Sequence, residues 1–355
     1  MSFTAPGHGA GHSAAMLPRL LLLLLCAMLP APLWAQAATG AELSHVLADA
    51  RALTPLRTVL VSRHGRLLGA QAYHGASLDR ATNIKSASKT VVSALVGIAI
   101  DKGVLTGADQ RIAPLLQGEL PTDPDPRLAK VTVGHLLSMQ AGLQPTSGAN
   151  YGRWVAGRNW VRGALAQPFV DEPGGGMLYS TGSTHLLSAI LTRRTGRSTL
   201  QLARDWLGPQ PGFAISAWGR DPQGIYFGGN QMSMTPRALL AFGELYRNGG
   251  KTADGTVVVS AHWVRQSWTP RTRSIYTGDG YGYGWFLRRI AGQDVVFAWG
   301  FGGQMLYVVP ALGLTVAMTS DEHTPSRTGH LGDLHALMGR IIDSQSPSGP
   351  VRTAR

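Results

Sequence analysis

Cysteine is almost missing from this sequence: Cys26 is the only one in 355 residues. It lies in an N-terminal apolar run, so a chain without that segment would hold no thiol. Disulfides, thiol nucleophiles and thiolate metal sites are then excluded together, and an oxidising compartment is tolerated. Lysine is nearly as scarce, with only Lys85, Lys89, Lys102, Lys130 and Lys251. The formal charge of +12 is therefore carried by dispersed arginines rather than by a polybasic run. It reads as a solvated surface more than as a nucleic-acid or polyanion site. No internal repeat or low-complexity block is present. With 44% hydrophobic residues, the chain suits one large unit, or two intimately packed lobes.

Long hydrophobic runs are lacking as well. The longest follows Arg19, from Leu20 to Leu25 and on to Leu29, and ends at Pro30 and Pro32. Its length of about ten residues is roughly half of what a membrane-spanning helix needs. With Ala35-Gln36-Ala37 just beyond, it reads as a secretory signal over residues 1–37, cut before Ala38 or, alternatively, before Gln36, with Met1 or Met16 as the start. The bulky Leu25 before Cys26 argues against lipidation. The expectation is a periplasmic or secreted protein with no stable membrane insertion after cleavage, a folded body over 38–345, and a frayed basic tail over 346–355.

The run from Val59 to Tyr73 pairs two β-rich stretches around Arg63-His64-Gly65 and predicts a hairpin. Ser86 to Gly103 is apolar on nearly every face and ends in glycine, the pattern of a buried central helix. Short helices and Pro/Gly-rich loops then continue to about Pro236. A helix over 236–248 follows, then strands at 283–290, 295–298, 305–309 and 314–319, and a closing helix over 332–344. The fold class is α+β: an antiparallel sheet joined by the early hairpin, with a mostly helical lobe inserted between its halves.

Ser86 and Lys89 are three residues apart at the start of the central helix, a spacing that stacks both side chains on one face. A lysine there opposes the helix dipole and, if buried, is penalised as a cation; both effects lower its pKa. The neutral amine can take a proton from Ser86 and make it a nucleophile. The Ser86 N–H, at the open end of the helix, can hold a developing oxyanion. The alternative, an N-cap serine beside a solvated lysine, fits poorly with a helix that has little polar surface.

The segment NIKSASKTVVSALVGIAIDKG resembles the Ser-x-x-Lys motif of the serine β-lactamase and penicillin-binding superfamily, in particular its class C β-lactamase-like hydrolases. KVTVGHLLSMQAGL, LYSTGSTHLLSAILTRRTG, GGNQMSMTPRALLAFGELYRNGG, YGYGWFL and WGFGGQMLYVVP continue the likeness in order, from about residue 55 to 345. The resemblance implies a β-lactamase/transpeptidase-like fold, an α/β sandwich lobe plus an all-α lobe. It makes Ser86 the acylated nucleophile, Lys89 its proton partner, and Tyr179 the relay to the leaving group, held as phenolate by nearby cations. In Tyr179-Ser180-Thr181 a threonine replaces the asparagine of Tyr-x-Asn.

The superfamily's Lys-Thr-Gly is replaced by Ala298-Trp299-Gly300, and a substrate carboxylate loses its charged partner. The resemblance then points away from β-lactams, toward the uncharged or bulky acyl groups of the branch's esterases and aminohexanoate-oligomer amidases. Phe301 supplies the second oxyanion N–H, Trp299 lines the acyl pocket or packs in the core, and Asn230 lines the cleft or serves a turn. His185 reads as a packed or surface histidine rather than a base. No Gly-x-Ser-x-Gly, His-Glu-x-x-His or His-x-His spacing is present, so no metal or cofactor is called for. The substrate is then a small ester, amide or peptide-like molecule. A β-lactamase or D-alanyl-D-alanine carboxypeptidase, and a non-catalytic envelope-binding protein on the same fold, are the competing readings.

Overall fold

The computed structural model describes residues 33–324 and 329–345, with side chains from residue 40 onward. The proposed signal segment as far as residue 32, and the tail 346–355, lie outside the described residues. Among these residues no helix is long and apolar enough to cross a membrane.

Helix α1 (Leu33–Asp49) leads into the hairpin of β1 (Leu56–Arg63) and β2 (Arg66–Ala72). The hairpin turns at His64 and Gly65, with φ of 50° and 81°. Two successive left-handed residues give the turn whose twist matches that of the strands. After the short β3 (Thr82–Asn83) comes α2 (Ser88–Asp101). The inserted lobe holds α3 (Val133–Leu137), α4 (Tyr151–Val155), α5 (Trp160–Leu165), α6 (Thr181–Thr195) and α7 (Thr199–Trp206), then β4 (Ala217–Trp218) and β5 (Met232–Met234). The chain returns through α8 (Pro236–Arg247), α9 (Ala261–Ser267), β6 (Thr272–Arg273), β7 (Gly280–Tyr281), β8 (Phe286–Ile290), β9 (Gln293–Gly300), β10 (Gln304–Val309) and β11 (Leu314–Ser320), ending in α10 (His330–Gln345).

The main sheet has eight antiparallel strands in the order β2-β1-β11-β10-β9-β8-β7-β6. β1 pairs with β11, so the early hairpin joins the late strands and the helical lobe is an insertion between them, as the sequence predicts. Strand periodicity divides the core in two. Leu60, Val296, Ala298, Leu306 and Ala317 face α2 and α8. Their neighbours Val59, Val61, Val295, Phe297, Met305, Tyr307, Val316 and Met318 face Leu43 and Leu47 of α1 and Leu334, Leu337 and Met338 of α10. Each fully buried aliphatic side chain contributes about 1.5–3 kcal/mol.

Helix α2 is buried from Ser88 to Ala99, between the sheet and the helical lobe, which explains its apolarity all round. Three details differ from the sequence expectation. Ser86 belongs to a 3-10 turn, Lys85–Ala87, and the helix proper starts at Ser88. The strand expected from Tyr283 starts only at Phe286, because Gly284, with φ 85°, turns the chain against the Lys89 backbone. A three-stranded sheet, β3-β5-β4, forms where loops were expected.

Candidate active site

The turn that carries Ser86 is fixed from outside. Lys85 has φ of 50°, uncommon for a residue with a side chain. Its N–H donates to Asn83 Oδ1 at 2.9 Å, and its Nζ pairs with Glu322 at 3.0 Å. Glu322 also packs against the Gly302 turn after β9, where a Cβ on Gly302 would meet the Glu322 Cα at 3.3 Å. One side chain thus ties the serine turn to the end of β9.

Lys89, in the first turn of α2, donates from Nζ to Ser86 Oγ at 3.0 Å and to the Gly229 carbonyl oxygen at 2.7 Å. The residue is 2% exposed. Lys85 and Lys130 have carboxylate partners, whereas Lys89 has none among the described residues. Burial without a counter-charge lowers its pKa from 10.5 to about 7, leaving a large neutral fraction near neutral pH.

Tyr179 precedes α6, with its ring centre 5.0 Å from Lys89 Nζ. Burial pushes the phenol up to about 12, with the nearby Ser86 opposing the rise and Tyr276 adding to it. The expected phenolate is therefore corrected. A single cation of depressed pKa does not offset the removal of the phenol from water, so the phenol is favoured in its neutral form. The start of α6 is held by hydroxyls: the Thr181 N–H donates to Ser147 Oγ at 2.8 Å and the Gly182 N–H to Thr146 Oγ1 at 2.8 Å. These bonds satisfy helix-start donors in place of an N-cap side chain. The Thr181 hydroxyl is hydrogen-bonded to Ser147 Oγ at 2.9 Å.

The other sequence candidates separate. Gly300 ends β9 tight against the residue two before Ser86, since a Cβ there would lie 2.2 Å from the Ile84 carbonyl oxygen. This contact brings the Phe301 backbone to the border of the serine turn, with the Phe301 ring exposed. Trp299 is half-buried on the opposite face of β9, its ring 5.6 Å from Phe286 and its side chain packed against the α1 and α10 core, as is Tyr179. Asn230 donates to the Tyr151 hydroxyl at 3.2 Å and accepts the Gln231 N–H at 2.8 Å. Its side chain serves the turn. His185 is fully buried, 3.0 Å from Asp221.

Two residues of the site were not read from the sequence. Gly229 presents the carbonyl that accepts from Lys89, and a Cβ there would stand 2.9 Å from Thr181 Cγ2 and 3.1 Å from Lys89 Nζ. The Gly-Gly pair before Asn230 was the available signal. Tyr276, 63% exposed, stands edge-on to Tyr179 at 6.4 Å between ring centres, beside the exposed Ile275. An Ile-Tyr pair among turn residues was its only mark.

The family model described as Beta-lactamase matches residues 50–337. Curated protein sequences give no match. Among solved structures, EstCE1, a hydrolase with promiscuous acyltransferase activity, is 17% identical with a TM-score of 0.69, over 88% of this chain and 99% of that one. A penicillin-binding protein homologue from Caulobacter crescentus is 17% identical with a TM-score of 0.66, over 86% and 96%. A D-stereospecific amidohydrolase from Streptomyces sp. is 16% identical with a TM-score of 0.61, over 87% and 98%. At these identities the likenesses establish a shared fold.

Proposed function

Because the chain belongs to the beta-lactamase family, a family of serine hydrolases, we propose that it is an exported hydrolase that cleaves an uncharged ester or amide through an acyl-enzyme on Ser86. The observation that carries this reading is the 3.0 Å hydrogen bond between Ser86 and a buried lysine that has no counter-charge among the described residues. Neutral Lys89 takes the Ser86 proton, and the Ser86 oxygen forms a bond to the substrate carbonyl carbon. The Ser86 and Phe301 N–H groups hold the oxyanion. As the bond to the leaving group breaks, the phenol of Tyr179 gives its proton to that group, and the Lys89 ammonium restores the phenol. Water then enters in place of the leaving group, loses a proton by the same route in reverse, and frees the acid.

Substrate class follows from what the site lacks. Ala298-Trp299-Gly300 offers no cation where the superfamily places one, and the exposed apolar residues Tyr276 and Phe301 offer surface to an acyl chain. EstCE1 and the amidohydrolase, named for acyl-transfer and amide chemistry, support this choice by analogy. Export rests on the N-terminal apolar run and on the confinement of cysteine to it.

The test is a substrate panel. A short-chain nitrophenyl ester turned over faster than a chromogenic cephalosporin, with both rates lost in Ser86→Ala, supports the reading. Faster opening of the cephalosporin would make the protein a β-lactamase instead.

A further inference from the structure

The backbone N–H next to the Gly229 carbonyl is bonded by a side chain of α6. His185 lies on α6 with its ring fully buried among Trp154, Trp160 and Phe227, at 5.8, 5.7 and 5.7 Å between ring centres. Its Nδ1 accepts the Gly228 N–H at 3.4 Å, so the ring proton sits on Nε2 and is donated to Asp221 Oδ2 at 3.0 Å. The other oxygen of Asp221 accepts the N–H groups of Gln223 and Ile225, both at 2.8 Å. Asp221 is thus held by the turn it caps and fixes the tautomer and direction of the ring. One residue after the amide bound by His185 is the carbonyl bound by Lys89, at 2.7 Å.

Backbone contact on the same side leaves no slack. A Cβ on Gly228 would stand 2.2 Å from the Thr184 carbonyl oxygen. Upstream, the loop has other anchors: the Phe227 carbonyl accepts from Trp218 Nε1 at 2.8 Å, and the Tyr226 carbonyl from Ser188 Oγ at 2.7 Å. Among the described side chains, the one bonded to the 228–229 backbone from the α6 side is His185. Burying the His185–Asp221 pair is costly unless both ring nitrogens are satisfied.

We propose that His185, oriented by Asp221, is a positioning residue for the reaction: it sets the Gly228-Gly229 backbone so that the Gly229 carbonyl holds the Lys89 amine against Ser86. The proposal rests on the reading of Ser86 and Lys89 given above. It assigns to the His185–Asp221 pair no contact with substrate. Its effect is on the proton acceptor, because a carbonyl that drifts away stabilises the ammonium form less and leaves the amine free to swing from the serine oxygen.

The rate of covalent labelling by a fluorophosphonate, followed from pH 5 to 9, reads this directly, since it reports the Ser86–Lys89 pair without any substrate pocket. In His185→Leu the midpoint of the labelling-versus-pH curve moves to lower pH, and the limiting rate falls by about 10- to 100-fold. In His185→Asn, whose amide oxygen can take the place of Nδ1, most of the limiting rate returns. A purely structural role would lower the fraction of protein that labels and leave the midpoint where it was; that result, or a native rate in His185→Leu, overturns the proposal. If His185→Leu does not fold, the double variant His185→Phe/Asp221→Asn removes the ring nitrogens without leaving a buried charge unpaired, and the same two outcomes apply. Failure of the intact protein to label would instead remove the Ser86 reading, and the proposal with it.

Discussion

The side-chain nitrogen of Lys89 lies 3.0 Å from the hydroxyl oxygen of Ser86, with no carboxylate paired to it among the described residues. Two consequences of its depressed pKa can be measured separately, one in rate and one in stability.

The rate consequence has a definite sign. Lys89 accepts the serine proton only when neutral, so kcat/KM for an ester rises as pH increases through about 7 and then levels. Tyr179, pushed up to about 12, stays protonated throughout this range. Replacement of Lys89 by arginine, which does not lose its proton, removes the limb and lowers the rate by about 10²- to 10⁴-fold. A pH–rate profile of both proteins checks this.

Stability shifts in the same direction with pH. Lys89 has a folded pKa of about 7 and a model-peptide value of 10.5. Between these values the unfolded chain binds the extra proton, so unfolding free energy gains up to about 1.4 kcal/mol per pH unit from this one group. Below about 7 both states are protonated and the gain is absent. Lys89→Met removes the slope, and its urea midpoint at pH 7 equals or exceeds that of the intact protein, because an apolar chain replaces a buried cation. Urea titrations at pH 7, 8 and 9 on both proteins read the difference.

Tyr179→Phe keeps the ring packing against Tyr281, at 6.4 Å, and removes only the phenolic hydroxyl. Turnover falls by about 10²- to 10⁴-fold while thermal unfolding is nearly unchanged. Single-turnover kinetics and a melting curve suffice, and an unaltered kcat would return the relay to Lys89 alone.

Gly229→Ala places a methyl group between Thr181 and Lys89 Nζ, at 2.9 and 3.1 Å. The Thr181 methyl must give way and the lysine amine is crowded from the Gly229 side, so the rate falls by about 10²-fold with little loss of fold. Gly300→Ala is harsher, because the contact at 2.2 Å is with the Ile84 backbone oxygen, which cannot swing aside. Circular dichroism and ester kinetics on the two variants separate these effects.

Tyr276 stands exposed beside Tyr179, where an acyl chain can lie across it. Tyr276→Ala raises KM for long-chain esters by about 10-fold and leaves acetyl esters nearly unaffected, as expected from the loss of aromatic contact area. A chain-length series measures the ratio.

Much of this arrangement was legible because it rests on local chemistry. The His64-Gly65 turn, the apolar faces of α2 and the three-residue spacing of Ser86 and Lys89 need only neighbours in sequence to be read. What was not legible depends on distant contacts. The strands of the small sheet are two or three residues long, too short to show a period. The protonation of Tyr179 is decided by burial that the sequence does not display, and the acceptor for Lys89 is a backbone carbonyl, which has no side chain to betray it. The Thr181 hydroxyl occupies the motif position of an asparagine but turns to Ser147, a contact between segments 34 residues apart.

The identity of Ser86 as the nucleophile is tested most directly by reacting the intact protein and its Ser86→Ala variant with a fluorophosphonate and locating the adduct by peptide mass spectrometry. The expected result is one adduct on the peptide containing Ser86, absent from the variant. No adduct on the intact protein, or one that persists in Ser86→Ala, would contradict the assignment and leave a binding protein on a hydrolase fold.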